Sequence, residues 1–172
     1  MIEFMVISAP RSGSTWAANW LTTEKSICLH DPLWTTYHTD LDDLDNFKPD
    51  RMLGISCTGI MIYDEFLNKH PARKVILHRE IGEISKSLNA RGMPDIPHES
   101  AEYLSGIHGR HYDWDALFDD KQAKEIYEYL LQIPFDAERH ELLKTLNVQS
   151  NLERIEVDKG ATQRFIEDLR SK

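Results

Sequence analysis

Residues 8 to 15 read Ser-Ala-Pro-Arg-Ser-Gly-Ser-Thr, and such a stretch suits one kind of chemistry, the holding of a tetrahedral oxyanion. The turn aims the backbone N–H groups from Ser12 and Gly13 onward at one point, and Arg11 adds a guanidinium. Ser14 and Thr15 place hydroxyls on the first turn of the helix that follows, at the positive end of its dipole. A second set comes later in the chain. Arg79 follows an apolar run ending at His78 and supplies a charge-assisted fork for a phosphate, and Ser87, two turns into the next helix, adds a hydroxyl donor. The third set is the pair His30-Asp31, either member of which can act as a general base.

Bringing these sets together requires strands that end along one edge. Residues 4–7 read as a buried parallel strand, 8–13 as a loop, and Ser14 opens a helix to about residue 23 with Trp16, Trp20 and Leu21 on a helical period. Residues 26–29, 51–57 and 74–78 read as three further strands. His30-Asp31 stands at the carboxyl end of the first of these and Arg79 at that of the last, where open α/β sheets bind their ligands. Helices are predicted over residues 60–70, stopped by Pro71, and 81–91. Further helices are predicted over 97–104, 114–118, 121–132 and 136–146, the last with Asp136 as its N-cap. Residues 33–49 read as an acidic surface loop or loose helical segment forming part of a substrate wall. A short strand over 152–157 and a helix over 161–169 close the chain. Strand, turn and helix alternate, which predicts a three-layer α/β fold: a central parallel sheet flanked by helices, one domain over residues 1–172.

The nucleotide-triphosphate loop G-x-x-x-x-G-K-[ST] is altered here at two places that matter. Ser8 stands for the first glycine and Ser14 for the lysine, so ATP used in the ordinary way is not the expected ligand. Instead, Pro10-Arg11-Ser12-Gly13-Ser14-Thr15-Trp16 resembles the 5′-phosphosulfate loop of sulfotransferases, P-[KR]-S-G-[ST]-[ST]. The stretch from Arg79 to Ser87 resembles that family's R-N-P-x-D-x-x-x-S, with Glu83 on the acidic position and Glu80-Ile81 replacing Asn-Pro. The preceding residues 66–77 look like the helix and strand that introduce this motif. The resemblance implies a P-loop sulfotransferase-like fold and 3′-phosphoadenosine 5′-phosphosulfate as sulfuryl donor, with no metal. It implies the 5′-phosphosulfate on Arg11 and residues 12–15, and the 3′-phosphate on Arg79 and Ser87. An aromatic at Trp16 can stack on adenine in the family; the helical period equally places it in the core. The resemblance covers the first 90 residues or so, and the last 20 in outline. The chain departs from the family in having no R-K-G segment and no histidine after the strand ending at Cys57. The base is therefore expected from Asp31, about 20 residues beyond Arg11 as is a glutamate in several carbohydrate and protein-tyrosine members, with His30 as the alternative.

Composition bounds the partners. An apolar content of 41% over 172 residues argues for a folded globule. The formal net charge of −9 disfavours nucleic acid, and obliges any anionic nucleotide to be drawn in by a local basic site. No apolar run has the length of a membrane span and the first residues do not read as a signal peptide, so a cytoplasmic location without membrane association is expected. Cys28 and Cys57 read as buried thiols. The segment from His108 through His111 to Asp113 has metal-compatible residue types without a matched second half. A small molecule, glycan or peptide bearing a hydroxyl or amine is the expected acceptor; the oligomeric state is left open. Two rivals stand beside the sulfotransferase reading: a P-loop small-molecule kinase or nucleotide hydrolase, which would need Mg²⁺ and ATP, and a non-catalytic relative that binds a phosphonucleotide.

Overall fold

The computed structural model describes residues 1–32, 46–47, 49–92, 100–146 and 148. Five strands form one sheet: β1 (Phe4–Ser8), β2 (Ser26–His30), β3 (Met52–Cys57), β4 (Arg73–His78) and β5 (Arg110–Asp113), in the order β2-β3-β1-β4-β5. Every neighbouring pair is parallel. β1 is central, which explains its unbroken apolar run: both of its faces are covered, and all five residues are buried.

The two faces divide by the alternation of a strand. Phe4 and Val6 face a core built on α1 (Ser14–Leu21), α5 (Asp120–Leu131) and α6 (Ala137–Thr145), whereas Met5 and Ile7 face a second core. That second core lies under a 3₁₀ turn (Gly59–Ile62), α2 (Asp64–Lys69), α3 (Ile81–Asn89) and α4 (Ser100–Ser105). Helices on both faces of a parallel sheet make the α/β class plain. Gly54 of β3 is needed because Phe4 lies against it: a Cβ there would stand 2.1 Å from the ring.

α1 forms because Trp16, Ala17, Trp20 and Leu21 recur on one face, and all four are buried. Its last carbonyls are satisfied from far along the chain, since Arg139 donates to Asn19 O at 2.7 Å and Thr22 O at 2.8 Å. α5 is capped by Asp119, which accepts from Gln122 N, and buries Ala123, Ile126, Tyr127, Leu130 and Leu131. α6 is capped by Asp136 as expected.

Several boundaries differ from the expectation. The helix predicted over 60–70 is a 3₁₀ turn and a separate short helix, broken at Tyr63, whose backbone lies outside the helical region. α1 stops at Leu21, where Thr22 turns extended. Residues 114–117 form a 3₁₀ turn instead of a helix. β5 was not predicted, because Arg-His-Tyr-Asp at a sheet edge has no apolar run to betray it. The strand expected over 152–157 and the helix over 161–169 lie outside the described residues, as does nearly all of 33–49.

Candidate functional site

Because all five strands are parallel, the residues that follow them gather at one edge. The chain goes to one side of β1 to make β2 and β3, then crosses to the other for β4 and β5, so the loop after β1 sits at the topological switch point. That loop turns through two left-handed residues, Arg11 (φ 65°) and Gly13 (φ 87°). Glycine takes this conformation freely, and a Cβ on Gly13 would in addition lie 2.7 Å from Leu117 Cδ1. Arg11 is held in it from outside. Arg79 Nη1 donates to the carbonyl of Arg11, and Arg11 Nε donates to Ser87 Oγ at 3.1 Å. No side chain caps α1, whose N-cap is Gly13. Glycine has no side chain to accept from the leading N–H groups of the helix.

Arg79 and Ser87, expected to share a 3′-phosphate, are linked in the structure through Arg11. Both reach Arg11, one through its carbonyl and one through its guanidinium. Arg79 also donates Nε to Glu83 Oε2 at 3.0 Å and lies 4.2 Å from the centre of the Trp114 ring. Glu80 caps α3: its carboxylate accepts from Gly82 N and Glu83 N, and those bonds hold its pKa below the ordinary value. Burial, then the positive charges of Arg91 and Arg79, lower the pKa of Arg11. Three guanidinium groups thus crowd one edge of a protein whose formal net charge is −9. Of the three, Arg79 is paired with Glu83 at 3.0 Å.

On the other side of the loop stand His30 and Asp31. His30 Nε2 lies 3.2 Å from Ser14 Oγ, 3.1 Å from Thr15 Oγ1 and 3.1 Å from Asp31 Oδ2. Asp31 has φ 41°. Its Oδ1 accepts from the backbone N of Thr58 at 2.6 Å and from Thr58 Oγ1 at 3.0 Å. Thr58, at the end of β3, thus fixes the aspartate. Ser56 joins the same cluster from β3, donating its hydroxyl to Ser14 O at 2.8 Å.

The structure therefore brings Arg11, Ser14, Thr15, His30, Asp31, Arg79 and Ser87 to one edge of the sheet, and sorts two other residues differently. Trp16 takes the core position that the helical period allowed, and its expected stacking on adenine is corrected. It is 6% exposed, packs on Trp20 and Phe118 at 5.1 and 5.0 Å between ring centres, and donates Nε1 to Leu143 O. Ser12 is fully buried, its hydroxyl without a partner among the described residues. Sequence reasoning missed Thr58, Arg91 and Trp114. Arg91 had a signal, four residues beyond Ser87 within the helix expected over 81–91, although the helix itself ends at Asn89; the pairing of Trp114 with Arg79 depends on β5 and had none.

His111 does not join a metal set. It donates Nε2 to Ile107 O at 3.0 Å, so its Nδ1 accepts from His78 Nε2 at 2.8 Å, and the two rings stack. Among the described residues, the histidine and carboxylates grouped closely enough for a metal are Asp120, His140 and Glu141. Lys144 Nζ already bridges the two acids of that group. No helix among the described residues is long and apolar enough to cross a membrane.

No family model matches the chain, and no curated protein matches it.

Proposed function

We propose that the protein is a sulfotransferase that moves a sulfuryl group from 3′-phosphoadenosine 5′-phosphosulfate to a hydroxyl or amine acceptor. One observation carries the reading: the bond from Arg11 to Ser87, with Arg79 on the Arg11 carbonyl, joins the two motifs that such a donor would span. The residues fit the donor's charges. Arg11, Arg79 and Arg91 concentrate positive charge near the N-terminus of α1, whose N-cap is Gly13.

The donor, when bound, supplies an activated sulfuryl group and a phosphate leaving group. Sulfuryl transfer in line asks the protein for positioning and charge neutralisation, as phosphoryl transfer does. In this reading the loop N–H groups, Ser14 and Thr15 hold the 5′-phosphate, and Arg11 neutralises charge at the bridging oxygen. Ser87 and Arg79 hold the 3′-phosphate, and Asp31 takes the acceptor's proton with His30 beside it. Thr58 occupies Asp31 Oδ1, so Oδ2 is the oxygen left to work. The reading requires no metal.

Calorimetric titration tests this. Adenosine 3′,5′-bisphosphate is expected to bind at least about tenfold tighter than adenosine 5′-phosphate, because one charge-assisted contact contributes about 1.5–3 kcal/mol. Equal affinities would remove the 3′-phosphate site, and tighter binding of ATP with Mg²⁺ would favour a kinase or nucleotide hydrolase instead.

A further inference from the structure

We propose that His30 is a positioning residue of the anion site: it directs the hydroxyls of Ser14 and Thr15 toward a ligand, and its imidazole gains a proton when an anion binds there. The inference rests on the phosphate-loop reading above and deepens it.

Three oxygens meet at one nitrogen. His30 Nε2 is 3.1 Å from Asp31 Oδ2, 3.2 Å from Ser14 Oγ and 3.1 Å from Thr15 Oγ1. An ionised carboxylate has no hydrogen to offer, so the nitrogen facing it carries one. Thr58 holds the carboxylate from its other oxygen, at 2.6 and 3.0 Å, and so fixes that constraint. A nitrogen that carries its hydrogen has no lone pair to offer, so neither hydroxyl can donate to it. Their own hydrogens are left for another acceptor, and an oxyanion on the first turn of α1 is one. The imidazole thus sets the polarity of both hydroxyls before a ligand arrives.

The same geometry links proton and ligand. An anion touching Ser14 and Thr15 stands one hydroxyl away from the ring, and a nearby negative charge favours the protonated form. Imidazole changes charge between about pH 5 and 8. The groups that face it are Ser14 and Thr15 from α1 and Asp31 from its own strand end, with Thr58 of the β3 end reaching it through Asp31. Asp31 is the titratable one of these. Its carboxylate is beside the ring with or without the ligand, so a change on binding reports the anion.

The test follows the His30 Cε1–H resonance through a pH titration, with and without adenosine 3′,5′-bisphosphate, the signal being assigned by its loss in His30→Gln. The midpoint is expected to rise by about one pH unit or more with the nucleotide, which is about a tenfold loss of affinity as pH rises through the histidine range. Calorimetry in buffers of different ionisation enthalpy reads the same event as proton uptake, larger in the wild-type protein than in His30→Gln. An unmoved midpoint with the bisphosphate bound overturns the proposal and leaves the phosphate-loop reading intact. Failure of the bisphosphate to bind at any pH overturns both.

Discussion

Arg11 reaches across 76 residues of sequence to place its Nε 3.1 Å from Ser87 Oγ, tying the loop after β1 to the helix after β4. The loop cation is therefore aimed by α3. Ser87→Ala should weaken binding of adenosine 3′,5′-bisphosphate about tenfold, the loss expected for one charge-assisted contact, and Arg11→Ala should weaken it further. The double variant should bind worse than either single one, with a loss that departs from the sum of the two because the Arg11–Ser87 bond couples them. Calorimetry on the three variants measures this, and strictly additive losses would mean that the bond does not couple the two side chains. Thermal stability should change by less than about 0.5 kcal/mol in each, as for surface substitutions generally.

Asp31→Asn addresses the base. Asparagine keeps an oxygen for the Thr58 N–H and hydroxyl, so the fold and donor affinity should persist. The transfer rate should fall by about 10²–10⁴, the range for a lost general base. The assay needs a working acceptor, found by screening hydroxylated glycans, phenols and tyrosine peptides. A normal rate in Asp31→Asn would exclude Asp31 and turn attention to His30, for which His30→Gln is the matched variant.

Gly54→Ala probes the sheet itself. The added methyl would stand 2.1 Å from the Phe4 ring, and Phe4 is fully buried on the central strand. Overpacking of this kind costs about 1–3 kcal/mol. Urea denaturation should show that loss, and an unchanged midpoint would mean that β1 and β3 can part without penalty.

A pH effect should come from His78. Burial, with the charge of His111, lowers its pKa, and Asp113 acts in the opposite sense. As pH falls through the ordinary histidine value of about 6.5, the unfolded chain takes up the proton before the folded one. Stability therefore decreases in that window and levels off once the folded protein is also protonated. Urea unfolding at a series of pH values should show a shallower fall in His78→Gln. The same slope in both proteins would place the effect on another group.

How much of this was legible in advance depended on burial. The strands over 4–7, 26–29, 51–57 and 74–78 were readable because apolar side chains fill them, and the edge strand Arg110–Asp113 was not, because Arg110, His111 and Asp113 are exposed. The loop was readable from Pro10-Arg11-Ser12-Gly13 because a left-handed turn before a helix demands such residues. Its partners were readable only as types. That Arg79 would grip a carbonyl of the loop, and that Thr58 would grip Asp31, depends on which strand lies beside which, and strand order is not written in any one segment. Trp16 shows the reverse case: its type suggested a ligand, while its spacing from Trp20 on the buried face of α1 already suggested the core.

The grip of Arg139 on the end of α1 bears on when the protein can become competent during its synthesis. The loop and its helix leave the ribosome before the strands that flank β1, which come only with residues 52–78. The carbonyls of Asn19 and Thr22 gain their guanidinium only with residue 139. A nascent chain arrested before α6 holds the anion-binding sequence complete and its supporting helix unfinished, with Trp16 and Trp20 still lacking His140 to pack on. Domains fold as units during elongation, and here the earliest-made part of the site waits on one of the later helices.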